Sequence, residues 1–121
     1  MTELANGRQR SATERRRLAR EGRRAFPPMG LYVVRDTASG QVRLGSSRDV
    51  HATLRRIQFE LRLGTHPDKA LQSQWRQDPA RFSFEVLELV KERTDPDFDY
   101  AGELRTLLQL HGEELGLGSP R

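Results

Sequence analysis

The chain has 121 residues, 35% of them hydrophobic and 31% charged, with no cysteine and a formal net charge of +4. That length gives one compact core, and the lean apolar share predicts that part of the chain lies outside it. The absence of cysteine excludes disulfides, thiol catalysis and a cysteine zinc site, and fits a cytoplasmic protein. The charge is uneven: residues 1–24 hold eight Arg against three Glu, whereas residues 25–121 hold 13 bases against 14 acids. Within the latter, residues 41–76 carry seven bases and three acids, and residues 84–103 carry seven acids and two bases. A polarised surface is expected. No apolar run is long enough for a membrane helix. A basic start without an apolar stretch behind it does not read as a secretory signal, and Glu3, Glu14 and Glu21 speak against a transit peptide.

In chain order, residues 1–25 read as a basic tail: disordered to about residue 10, then a short helix over 11–24 with Ser11 and Glu14 as a capping box. Pro27 and Pro28 end that helix, and the domain is expected over 26–116, with 117–121 loose. GLYVVR (30–35) is a strand, Asp36 to Gly40 a turn, and QVRLGSS (41–47) the returning strand of a hairpin. In residues 48–63, Val50, Leu54, Ile57 and Leu61 fall on one helical face, with Ser46 or Ser47 as cap and Gly64 as terminator. A second helix is expected over 67–77, with Pro67 in its first turn and Ala70, Leu71, Gln74 and Trp75 facing inward. FSFEVLELV (82–90) is a third strand with Phe82, Phe84, Val86 and Glu88 on one face. The acidic TDPDFDY leads into a last helix over 101–115, with Leu104, Leu107, Leu108 and Leu115 available to the core. The predicted class is α+β, a three-stranded sheet flanked by helices in the order β-β-α-α-β-α.

Three features in this spacing resemble the GIY-YIG nuclease family. They are Gly30-Leu31-Tyr32 on the opening strand, Arg43-Leu44-Gly45 eleven residues after Tyr32 and followed by Ser46-Ser47, and Gly64-Thr65-His66 followed by Lys69, Leu71, Gln72, Trp75 and FSFEVLE. The stretch from 29 to 115 is similar to small stand-alone bacterial proteins grouped with that family. The resemblance implies a concave face lined by two tyrosines, an arginine and often a histidine on the first helix, and a glutamate on a later helix. That glutamate holds a divalent cation, and a tyrosine helps activate water. The chemistry needs such groups because a cation and an arginine stabilise the developing phosphate charge while the water needs a base.

Under that resemblance most of the functional positions are substituted. Tyr32 keeps the first tyrosine position. Arg43 stands at the second, where a permanently protonated guanidinium cannot serve as a base. Thr53 stands at the arginine position, Ile57 at the histidine position, and Leu108, with Gln109 beside it, at the metal glutamate. No asparagine follows Asn6. Glu60 and Glu103 are the weak candidates for a rebuilt cation site; otherwise no metal is expected, with Mg²⁺ or Mn²⁺ implied only for an active nuclease. Tyr32 also has an ordinary strand reading and His66 a backbone-capping one, and His51, His66 and His111 lack ligand spacing.

Arg43, Arg48, Arg55, Arg56, Arg62, Lys69 and Arg76, with Arg15, Arg16 and Arg17 of the tail, are the candidate phosphate contacts, against the alternative of a solvated basic face. Arg43 is the most telling, since it can reach a phosphate through two N–H groups. The leading expectation is a GIY-YIG-like domain without nuclease activity that binds nucleic acid weakly through phosphates. Two others stay open: a metal-dependent DNA endonuclease with a rearranged site, and a protein-interaction module or homodimer docking through the leucine-rich last helix. No membrane association is expected.

Overall fold

The computed structural model describes residues 25–117. Strand β1 (Gly30–Asp36) is followed by β2 (Val42–Ser47), helix α1 (Val50–Leu63), helix α2 (Lys69–Gln77), a 3₁₀ turn (Pro79–Arg81), β3 (Phe82–Leu89) and helix α3 (Tyr100–Glu114). The strands form one antiparallel sheet in the order β2-β1-β3. The expected class and element order are therefore those of the molecule. The expected tail and its Arg15, Arg16 and Arg17 lie outside the described residues.

β1 is central because it pairs with β2 on one edge and β3 on the other, and both of its faces are covered, which explains its near-continuous apolar sequence. Leu31, Val33 and Val34 are all at most 2% exposed. On one face, Val34 packs with Ile57 and Leu61 of α1, Leu71 of α2 and Phe82, flanked by Tyr32, Trp75 and Phe84. A second cluster joins Met29, Val90 and Leu104 with Phe26, Tyr100 and Leu107. Phe26 joins that cluster with its ring 5.1 Å from the Tyr100 ring.

Several local expectations are corrected. β3 does not keep one parity. Leu31 pairs with Glu88 and Tyr32 with Val86, which leaves Leu87 as the extra residue of a bulge. One inserted residue moves all later side chains to the other face. Glu88 therefore leaves the face of Phe82, Phe84 and Val86, and its Oε1 lies 2.6 Å from Nε2 of His111 on α3. α3 accordingly crosses the face opposite α1 and α2. The cap of α1 is Asp49 rather than a serine, because β2 runs through Ser47 before the chain turns. Ser47 Oγ instead accepts the Asp49 N–H. α2 starts at Lys69 after the cap Asp68, so Pro67 precedes the helix. Its buried residues are Leu71 and Gln72, while Ala70 is exposed. Gln72 is tolerated inside because both ends are bonded: Oε1 accepts the His66 N–H and Nε2 donates to the Leu61 carbonyl. In α3, Leu104 and Gly112 are buried and Leu115 is exposed.

The hairpin turn is fixed by Asp36, which is 1% exposed. Its carboxylate accepts the Ala38 and Ser39 N–H groups and meets Arg81 Nη2 at 2.7 Å. Arg81 first, then the turn amides, hold its pKa down at about 2, from an ordinary 3.8. A carboxyl depressed in the folded state contributes stability that is complete above the unfolded pKa and fades as pH falls toward the folded one. The Asp36→Asn variant is therefore expected to lose less stability than the parent between about pH 4 and pH 2. Urea midpoints measured across that window check this, and parallel losses in both proteins would contradict it.

Candidate functional site

Alternation along β1 sends Tyr32 to the same face as Val34, toward α1 and α2. Gly45, its partner across β2, makes room for the ring: a Cβ there would collide with Tyr32 Cζ and Oη. Burial raises the Tyr32 phenol pKa above 10, with the nearby Arg56 guanidinium acting in the opposite direction. A shift in that direction makes the phenol a weaker candidate for a base than an exposed tyrosine. Gly45→Ala is expected to push Tyr32 aside and cost about 1–3 kcal/mol, the scale of overpacking a filled site. Urea denaturation with Tyr32 ring resonances as the local readout tests this; an unshifted ring would refute the contact.

Arg43 shares that face but is not a free guanidinium. Its Nε donates to Asp68 Oδ2 at 3.1 Å, and its Nη1 is buried without a protein partner among the described residues. Asp68 also accepts the Leu71 N–H as the cap of α2. That bond, with Arg43 behind it, holds its carboxyl below the ordinary range. Arg43 thus ties β2 to the start of α2 through its Nε. His66 does cap backbone, its Nδ1 accepting the Asp68 N–H at 3.0 Å.

The remaining family positions do not converge. Thr53 is 9% exposed and lies 2.6 Å from Ser47 Oγ through its hydroxyl. Ile57 is in the core. Leu108 sits half-buried on α3, across the sheet from Tyr32. Glu60 on α1 and Glu103 on α3 are likewise on opposite faces, and Glu103 is 3.7 Å from Arg93. Among the described residues no three His, Asp or Glu side chains gather as ligands for a cation. The described residues thus form no carboxylate cluster of the kind that the divalent cation implied by the resemblance needs.

What the structure does assemble is a cationic side. Arg48, Arg55, Arg56, Arg62, Lys69 and Arg76 are exposed on or beside α1 and α2. None has an ion-pair partner among the described residues, whereas Arg35, Arg43, Arg81, Arg93 and Arg105 are paired with carboxylates. Arg76 reaches over Gly64, whose φ of 78° ends α1, and so stands beside the last carbonyls of that helix. Gly64, Lys69, Gln72, Ser73, Arg76 and Gln77 surround a shallow cavity of about 370 Å³. Elsewhere Glu88, Glu92 and Glu103, with Lys91 and Arg93, line another of about 410 Å³. The charge split read from the sequence is therefore a split in space. Sequence reasoning missed Phe59, 55% exposed on α1 beside Leu63 at 60%. The signal was its position off the Val50–Leu54–Ile57–Leu61 stripe. No described helix is long and apolar enough to cross a membrane.

No family model matches this chain, and no curated protein matches it. Solved structures do. The catalytic domain of homing endonuclease I-TevI aligns with a TM-score of 0.58 and 20% identity, over 73% of this chain and 88% of that one. A mutant form of the catalytic domain of intron endonuclease I-TevI aligns with a TM-score of 0.58 and 19% identity, over 77% and 91%. At that identity the likeness is one of fold. The molecule has a GIY-YIG-like fold, three antiparallel strands with helices on both faces of the sheet.

Proposed function

We propose that this GIY-YIG-like domain holds nucleic acid through its phosphates and does not cut it. The observation that carries the reading is the set of exposed cations on α1 and α2 without carboxylate partners among the described residues. Phosphates are dense and negative, and each one neutralised releases a condensed counterion, so such a surface binds without reading sequence. The absence of cleavage is argued from the chemistry of the positions. A half-buried phenol with a raised pKa, a guanidinium bonded to Asp68, a Thr53 hydroxyl engaged by Ser47, and the apolar Ile57 and Leu108 supply neither a general base nor a carboxylate for a cation. Fold alone does not fix activity.

The test is a titration of labelled DNA and RNA at several salt concentrations. Affinity is expected to fall on a straight line of log K against log salt, with a slope of about −3 or steeper, since each phosphate contributes about −0.9. A flat line would remove the phosphate reading. A second reading, a protein-docking module, has its own observation: Leu110, Leu115 and Leu117 are exposed at and just beyond the end of α3. A molecular mass that rises with concentration and returns to the monomer value in Leu110→Glu would favour it.

A further inference from the structure

We infer that Phe59 is a stacking platform for an unpaired base, so that the preferred ligand is single-stranded nucleic acid or a strand with unpaired nucleotides. The inference rests on the phosphate reading above and adds what that reading lacks, a contact to the base.

Phe59 is out of place as a core residue. α1 buries Val50, Thr53, Leu54, Ile57 and Leu61. Phe59 lies two positions from both Ile57 and Leu61, about 200° around the helix from each. It projects away from the sheet and is 55% exposed. Its neighbours on the helix surface are set by the three- and four-residue spacing: Arg55 and Arg56 before it, Arg62 and Leu63 after it. All three arginines are exposed, and none meets a carboxylate among the described residues. The one acid of α1, Glu60, is half-buried and turned about 100° from Phe59.

This combination fits a single strand better than a duplex. In a duplex the base faces are hidden, and an isolated phenyl ring on a convex helix gains nothing from phosphates. In a single strand every base offers a π-face, and an aromatic ring between cations holds the base while the guanidiniums hold the flanking phosphates. The ring carries no hydrogen-bonding group, so no base preference is built in. Charge decides against a protein partner of ordinary composition, because the ring is fenced by like charges that a second copy of the same face would repel.

The test uses the full chain and three probes: a short mixed-sequence single strand, an abasic strand of equal length, and a hairpin duplex. Phe59→Ala is expected to weaken binding to the mixed strand by about 5- to 100-fold, the range for loss of one stacked base. Binding to the abasic strand should stay unchanged, Phe59→Trp should keep the parent affinity, and Phe59→Leu should behave as Ala. Unchanged affinity in Phe59→Ala, equal losses on both strands, or full affinity in Phe59→Leu would overturn the platform. Self-association abolished by Phe59→Ala, or binding to anionic lipid vesicles lost in it, would also overturn it. Abasic binding by the parent chain separates the two ideas. If it is absent, the phosphate reading fails; if it is present without an increment from Phe59, only the platform fails.

Discussion

Replacing Arg55 and Arg62 together by alanine is expected to lower affinity for a single strand by about 10- to 100-fold at low salt and to flatten the slope of log K against log salt by about 1.4, two contacts at about 0.7 each. The two residues are one heptad apart on α1 and therefore share its outer stripe. Each is exposed and unpaired among the described residues, so it is available to a phosphate. Each phosphate contact removed from a single strand costs about 0.7 unit of salt slope and roughly a factor of ten in affinity where the contact is charge-assisted. The fold should not notice, because exposed substitutions away from special features shift stability by about 0.5 kcal/mol or less. The paired cations serve as the control. Arg105→Ala, at a side chain 3.9 Å from Asp99 on α3, should leave the slope where it was. Equal effects from both changes would show that net charge alone matters, not the face.

Leu61→Ala is expected to destabilise the fold by about 3 kcal/mol, the middle of the range for a buried leucine. Leu61 is 1% exposed and lies between α1, Val34, Leu71 and Phe82, where little can collapse into the space left. For a domain of this size the shift in Tm is roughly 15 °C. Leu63→Ala, two residues on and 60% exposed, should change the midpoint by no more than about 0.5 kcal/mol. Thermal melts of the two variants side by side test whether α1 sits on the sheet in the orientation described. Similar losses would mean that the helix is rotated, and with it the whole cationic face.

The order of elements was legible because each follows from a short-range rule. Apolar and β-branched residues mark β1, the 3.6-residue stripe marks α1, and Gly64 marks its end. The face of β3 was not legible, because nothing local distinguishes Leu87 as a bulge residue. Only pairing with β1 does so, and that pairing decides that Glu88 meets His111 rather than Phe84. The caps were misplaced for a related reason: where β2 stops is set by its ladder to β1, and that carries the start of α1 past the serines to Asp49.

For the candidate site, the residue types at the family positions could be read from spacing, but their company could not. Arg43 looked like a free cation because Asp68 is far from it in sequence, and the ion pair exists only once α2 folds back on β2. Leu108 and Tyr32 proved to be on opposite faces, which no spacing along the chain shows. The charge segregation between residues 41–76 and 84–103 was visible in the sequence, because the first stretch contains the two helices on one side of the sheet and the second leads from β3 into the helix on the other.

The most direct test of a domain that binds without cutting is one gel of supercoiled plasmid incubated with the full chain in Mg²⁺ or Mn²⁺, with and without a chelator, at low and high salt. The expected result is a plasmid that stays supercoiled throughout and is retarded at low salt only, with no effect of the chelator. Conversion to the nicked form that the chelator abolishes would contradict the account, and would require a carboxylate such as Glu60 or Glu103 to hold a cation in an arrangement different from the one described.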